Sequence, residues 1–339
     1  MNILLTSVGR RKYIVEYFQD AFKHEGKVFA SNSNYTTAMS IADGYFISPL
    51  IYEDNYIDSL IQYCNKNKIS IILSLFDIDL YVLAKNESKL KNHGIILILA
   101  PVKSIEICND KWATFKFLQN LDINTPKTFL TINDTLEAIN KQTINFPLII
   151  KPRWGMASIG IYKINSEEEL KVLYKKCYNE IFDSYLKYES SVTSKNPIVI
   201  QEFLKGSEFG LDAINDLKGN FINTYAKCKV SMRAGETDIG ETIDNTKFID
   251  FSKKICANIN QKGIASIDCI EHNNKIYVIE INCRISGHYP LSHLAGVNYP
   301  KMLLIWLKGG KDISQYSSFK QGLKITKDLV PVIINQPLH

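Results

Sequence analysis

The first hundred residues alternate two periodicities, and that alternation narrows the folds open to the chain. Continuous apolar runs stand at 3–5, 69–75 and 95–99, with segments of helical period near 10–23, 54–66 and 78–91. Strands apolar on both faces need helices above and below them, which is the βαβ arrangement of an open parallel sheet. From about residue 125 the pattern changes. PKTFL (126–130) and FPLIIKP (146–152) read as strands around a short helix, and WGMASIGIYKI leads through a loop into another strand. The polar, amphipathic stretch 166–189 reads as one helix, and 191–197 as a connector. IVIQEFL, FGLDAIN and FINTYAKCKV follow as strands, then a helix near 245–260. The strands IASIDCIEH and KIYVIEI are joined at Asn273-Asn274, a hairpin turn pair, and a helix over 299–308 precedes the tail.

A chain of 339 residues exceeds one simple core and calls for two or three lobes. The formal charge of +5 is mild, and no Lys/Arg block reaches the density that binds nucleic acid. The seven cysteines are scattered and include no CxxC, as expected of reduced thiols in a cytoplasmic protein. MNILLTSVG reads as a strand start rather than a signal peptide, and no apolar run reaches the length of a membrane span.

Chemistry is concentrated in YVIEINCRISG (277–287), where Glu280, Asn282 and Arg284 alternate on one face of a strand. The tight turn before it brings Asp268 of the preceding strand close to Glu280. Asp268, Glu280 and Asn282 are hard oxygen donors of the kind Mg²⁺ takes together with substrate phosphates. Arg284 beside them suits a phosphate or carboxylate, although a buried Glu280–Arg284 pair that only fixes packing has the same pattern. In FPLIIKPRWGMASIG, Lys151 leaves an apolar strand beside a loop with Gly155, Ala157, Ser158 and Gly160. Small residues let backbone N–H groups approach a triphosphate, and a plain β-turn is the alternative. The spacing is not that of a Walker loop. In IVIQEFLKGSEFG, the backbone of Gln201, Glu202, Phe203 and Leu204 can pair with an adenine edge. Glu208 can accept from ribose hydroxyls, or the segment is a hinge with a solvated glutamate.

Taken in order, CNDKWATFKFL (108–118), PLIIKPRWGMASIG (147–160), QEFLKGSEFG (201–210), ASIDCIE (265–271) and YVIEINCRISG (277–287) resemble the ATP-grasp superfamily. The likeness is to its carbamoyl-phosphate-synthase-like members and carboxylate–amine ligases. It implies an α/β and α+β chain with a Rossmann-like leading domain (1–105). An ATP-grasp N-terminal lobe (106–190) and a C-terminal lobe with the metal site and tail (191–339) follow. It implies ATP and Mg²⁺, with Mn²⁺ as a substitute, as cofactors. Lys111 and Lys151 would meet the phosphates; Glu202 and Leu204 would hold adenine, and Glu208 ribose. Asp268, Glu280 and Asn282 would bind metal, and Arg284 would steady the transferred group. Lys229 and Arg233 in AKCKVSMRAGET would face the phosphates or substrate, with Lys227 an equally placed competitor. The chain departs from the family in the glycine-poor loop, which holds Trp154 and Met156, and in SNSNYT (31–36), which lacks an acidic residue.

The expected chemistry is phosphoryl transfer from ATP to a small-molecule carboxylate, followed by attack of an amine on the acyl phosphate. Such transfer is mostly positioning and charge neutralisation, so it needs no protein nucleophile. In TSVGRRKY, Gly9 permits a tight turn after the first strand, where open α/β sheets bind ligands. Arg10 for a carboxylate and Asp77 for an amine outline an acceptor pocket, to which Ser286 and His288 would be added from the end of the metal strand. Surface charges at a helix N-terminus, and a packed loop histidine, are the alternatives. A small-molecule kinase on the same scaffold uses the same phosphate machinery. A non-catalytic nucleotide-binding protein leaves Asp268, Glu280 and Asn282 unexplained. A homodimer is compatible with the sequence.

Overall fold

The computed structural model describes residues 1–155, 159–191, 195–233 and 235–331. The leading sheet is parallel throughout: β1 (Asn2–Thr6), β2 (Val28–Asn32), β3 (Gly44–Ile47), β4 (Ile69–Ser74) and β5 (Ile96–Leu97), in the order β3-β2-β1-β4-β5. Alternate residues of β1 serve opposite faces. Ile3 and Leu5 pack with Ile14, Val15 and Phe18 of the helix Lys12–Phe22, whereas Leu4 packs with Leu60 and Cys64 of the helix Tyr56–Lys66. The chain leaves β1 toward β2 on one side and β4 lies on the other, so a crevice opens beyond their carboxyl ends. The loop after β1 and the N-terminus of the helix Asp77–Lys85 lie at that end.

The second sheet is antiparallel, in the order β6-β9-β7-β8, from β6 (Thr128–Phe129), β7 (Leu148–Pro152), β8 (Tyr162–Ile164) and β9 (Ile198–Glu202). Because β9 pairs with β6 and β7, this lobe runs to Glu202, past the boundary expected at residue 190. The single helix expected over 166–189 is two. Glu167–Phe182 is capped by Ser166, whose Oγ accepts from the Glu169 N–H, and Lys187–Ser190 follows after a break. Ser184 causes the break by local competition: its hydroxyl donates to the Ile181 carbonyl and accepts from the Leu186 N–H.

The third sheet carries β10 (Ser207–Asn215), β11 (Phe221–Arg233), β12 (Glu236–Ile243), β13 (Gly263–His272), β14 (Lys275–Asn282) and β15 (Lys324–Thr326). Its order is β14-β13-β10-β11-β12-β15, with every pair antiparallel. Asn273 and Asn274, both at positive φ, make the β13–β14 turn. Strand β12 and the short helix Tyr289–Leu294 are not among the elements expected from the sequence.

The core joins two of these bodies and leaves the third apart. Leu4 and Phe29 share a cluster with Leu211, Ile267 and Ile281, and Ile3 and Leu5 share another with Ile214, Tyr225 and Ile285. The N-terminal lobe has its own cluster around Leu148, Ile150, Leu170 and Ile198. The described residues include no helix long and apolar enough to cross a membrane.

Candidate active site

Strand register places the polar residues of the C-terminal lobe on one face in rows. Lys227, Gly210, Asp268 and Glu280 lie side by side across β11, β10, β13 and β14, while Tyr225, Asp212, Ser266 and Asn282 form the next row. Lys229 and Glu208 pair in the row beyond. The Lys229 ammonium lies 2.9 Å from Asp268 Oδ1. Burial pushes the Asp268 carboxyl up, but Lys229 and His288 outweigh it and hold the group below the usual carboxylate range. Lys227, the competitor of Lys229, is fully buried and bonds Asp212 at 2.5 Å and Ser292 at 2.9 Å. It anchors the lobe, and Lys229 is the lysine beside Asp268.

Glu280 is half-buried and has no hydrogen bond or ion pair among the described residues, although Asn282 and Asp268 flank it. Among the described residues no three His, Cys, Asp or Glu side chains are grouped so as to enclose a metal ion. Two carboxylates and an amide therefore fit a cation whose remaining ligands come from a bound phosphate group, as is usual for Mg²⁺.

The N-terminal lobe brings two lysines to this face. Lys151, at the end of β7, is 6% exposed. Burial and then nearby Lys111 lower its pKa to about 8, against the pull of Glu280, Glu208 and Asp268. Lys111 opens the helix Lys111–Asn120 and donates to the Gly155 carbonyl at 2.6 Å. The start of the loop after Lys151 is held by Arg153, which forms two hydrogen bonds to Asp110, the N-cap of that helix, and lies over the Trp154 ring. Ser158, expected in this loop, lies outside the described residues; Gly160 turns the chain at φ +67°.

The segment Phe203–Gly206 joins the lobes between β9 and β10. Gln201 is buried and donates to Thr128 Oγ1 at 2.9 Å, Leu204 is buried, and Lys163 lies over the Phe203 ring. A Cβ on Gly206 would sit 1.7 Å from the Glu271 carbonyl oxygen, so only glycine lets the hinge pass this close to β13. Glu208 is exposed at the mouth of the face.

Arg284 reaches out of the strand to the leading domain, where its Nε and Nη2 both donate to Asp77 Oδ2; Nη2 also donates to Asn282 Oδ1 at 3.1 Å. The alternative Glu280–Arg284 packing pair does not form. The rest of the expected acceptor pocket is distributed differently. Arg10 is exposed, with no bond among the described residues, and Gly9 donates its N–H to Asn32 Oδ1 at 3.3 Å. Arg11 is the engaged arginine: it donates to the Leu75 carbonyl and pairs with Glu236 of β12. Arg233 pairs with Asp238 across the hairpin, away from the row of Lys229.

His288, expected beside the acceptor, is buried at 3% exposure against the sheet. Its Nε2 is 2.8 Å from Ser266 Oγ and 3.5 Å from Asp268 Oδ1, and its Nδ1 is 3.3 Å from Asp212 Oδ1. The absence of a side chain at Gly210 makes the room, since a Cβ there would come within 2.6 Å of the ring. Ser286 is likewise buried, accepting the His288 N–H.

Three residues of the site were missed in the sequence. Asp212 stands four residues from Glu208 on the same strand face, a spacing that could have flagged it. Asn109 and Glu189 line the cleft with Asp77, Lys111, Glu280 and Asn282, but only the tertiary fold brings them there.

Two family models match the chain. A model described as "ATP-grasp domain" matches residues 108–288, and one described as "PylC-like, N-terminal domain" matches residues 3–98. The carbamoyl phosphate synthase large chain of Clostridium perfringens (strain SM101 / Type A) is 29% identical over 278 residues, which are 77% of this chain and 24% of that one. That of Clostridium acetobutylicum is 23% identical over 304 residues, 85% and 27% of the two chains. The chain thus spans about a quarter of the length of these relatives. Among solved structures, the biotin carboxylase domain of Hydrogenobacter thermophilus 2-oxoglutarate carboxylase superposes with a TM-score of 0.73 at 17% identity, over 95% of this chain and 73% of that one. L-amino acid ligase from Bacillus licheniformis superposes with a TM-score of 0.72 at 20% identity, over 98% and 81%. Strands β6 to β14 of the two antiparallel lobes and the lysine-flanked acidic strand face fall within the match over 108–288, behind a parallel leading sheet that is matched separately: this chain belongs to the ATP-grasp family.

Proposed function

We propose that the protein is an ATP- and Mg²⁺-dependent ligase that joins a small-molecule carboxylate to an amine through an acyl phosphate. The observation that carries the reading is the placement of Glu280, Asn282 and Asp268 on one strand face, with Lys111, Lys151 and Lys229 around it and Arg284 at its end. Lys111 and Lys151 hold the phosphates, the Glu202–Leu204 backbone holds adenine, and Glu208 the ribose. Mg²⁺ held by Glu280, Asn282 and Asp268 supplies charge neutralisation at the triphosphate. Lys229 keeps Asp268 ionised and adds positive charge to the same face. Arg284, fixed by Asp77, presents its guanidinium where the acceptor carboxylate must meet the terminal phosphoryl group. The carboxylate oxygen attacks phosphorus and ADP leaves; the amine then attacks the acyl carbon and phosphate leaves. Every one of these steps is governed by alignment and preorganised charge.

The enzymes that share the fold support the reaction class: they include L-amino acid ligase and N5-carboxyaminoimidazole synthetase, the latter crystallised with ADP. The test is ADP release across a panel of carboxylates and amines with mass detection of the amide. ADP formed with a phosphorylated acceptor and no amide would replace ligation by kinase chemistry on the same site.

A further inference from the structure

The cleft between the leading domain and the N-terminal lobe holds one carboxylate with an oxygen left over, Asp77, and one with no protein partner among the described residues, Glu189. The two bonds that Arg284 donates to Asp77 both end on Oδ2; Asp77 is 5% exposed, and its Oδ1 is buried with no donor. Glu189, from the short helix Lys187–Ser190, lines the same cleft and has no hydrogen bond or ion pair among the described residues. The two groups feel each other: burial first, and Asp77 second, push the Glu189 carboxyl up to about 7 against the opposing pull of Lys111. Neither neighbouring cation donates to Asp77 Oδ1 or to Glu189. The Lys111 ammonium donates to the Gly155 carbonyl, and Arg284 serves the other oxygen of Asp77.

The carboxylates come from different bodies, and aromatic contacts hold those bodies together. Tyr188, next to Glu189, stacks on Tyr52 of the leading domain with ring centroids 4.7 Å apart, and Tyr185 meets Phe76, next to Asp77, at 6.5 Å. A buried carboxylate oxygen without a donor, beside a half-buried carboxylate, calls for a cation that donates hydrogen bonds. An ammonium, with three N–H donors and no acceptor, can serve both. Glu280 and Asn282 line the same cleft, so such a group would sit beside the site of phosphoryl transfer.

We propose that Asp77 and Glu189 form a subsite for an ammonium group of the acceptor amine. This inference rests on the ligase reading and adds the substrate class: an acceptor that arrives as a cation. Because Glu189 belongs to the N-terminal lobe, the subsite is complete only with that lobe against the leading domain, and the amine itself bridges the two.

The test is calorimetric titration of the Mg·ADP-loaded protein with ethanolamine, glycinamide and 1,4-diaminobutane, with 1,4-butanediol as the uncharged control. At least one ammonium probe should bind saturably and the diol should not. Glu189→Gln should weaken that probe by about tenfold or more, the scale of one charge-assisted hydrogen bond, and Glu189→Asp should fall between. The variant's melting curve and ADP affinity serve as fold controls. Failure of all three ammonium probes, or equal binding by Glu189→Gln, overturns the subsite. So does Mg²⁺ binding without nucleotide that Glu189→Gln abolishes, which would make the cleft a metal site. Hydroxamate formation by the wild type with ATP, carboxylates and hydroxylamine separates the two readings. Hydroxamate without Glu189-dependent ammonium binding keeps the ligase and rejects the subsite; Glu189-dependent binding with no hydroxamate does the reverse.

Discussion

Arg284 and Asp77 lie in ion-pair contact, Nη2 2.5 Å from Oδ2, and so clamp the end of the acidic strand to the leading domain. The two side chains are 10% and 7% exposed, so neither charge has water to fall back on. The clamp fixes the direction of the guanidinium and, through the bond to Asn282, that of the neighbouring amide.

Arg284→Met should therefore suppress product formation on the order of a hundredfold, the usual cost of losing a preorganised donor at the reacting group. ADP affinity should change far less. Single-turnover rates set beside equilibrium ADP binding separate the two effects, and unimpaired product formation would remove Arg284 from the chemistry.

Glu280→Gln tests the metal face. It keeps the shape and removes the charge of a carboxylate that has no protein partner among the described residues. Turnover should disappear and the melting temperature should stay near that of the parent. ADP binding should lose its dependence on Mg²⁺, and a variant that binds Mg·ADP like the parent would place the metal elsewhere.

Lys151 predicts a pH profile. Burial and Lys111 bring its pKa to about 8 in the free protein, and a bound triphosphate favours the charged form and raises that pKa. ATP affinity should then be full below pH 8 and decline as pH rises above it, because binding must take up a proton. Affinity measured from pH 6.5 to 9.5 should show this fall, and Lys151→Met should flatten it while weakening binding throughout. A parent profile that is level across this range would count against the assignment.

Lys227 and Lys229, two residues apart on one strand, should fail in different ways. Lys227→Met leaves Asp212 buried beside His288 without its cation, which costs about 3–5 kcal/mol in stability. The double variant with Asp212→Leu should recover much of that loss in urea denaturation. Lys229→Met should unfold near the parent midpoint and lose turnover. Equal stability losses in both single variants would contradict the division of labour.

The leading sheet was legible because strands covered on both faces are continuously apolar; Ile3, Leu4 and Leu5 are all fully buried. Strand β12 was not, since Glu236–Ile243 is a short polar alternation whose pairing comes from β11 on one side and β15 on the other. Glu280 and Asn282 announce themselves by i, i+2 spacing, and Asp268 by the two-asparagine turn that sets its register. Asp77 was read as an amine contact, but nothing local says that Arg284 takes one of its oxygens. Whether His288 is packed or free stayed open in the sequence, because the space it fills belongs to Gly210, far away in sequence on β10. Glu189 was hidden by helical amphipathicity, which marks a polar residue as solvated unless another body covers it.

The continuous core of the leading sheet and the third sheet has a consequence for how the molecule can be divided. Ile3 and Leu5 sit in one cluster with Tyr225 and Ile285, and Leu4 sits in another with Ile267 and Ile281. A cut near residue 105 would strip apolar side chains from both fragments, so neither is a transplantable module. The second sheet, with a cluster of its own, is the natural unit of exchange, and chimaeras that swap residues 126–202 between family members are the ones expected to remain monodisperse.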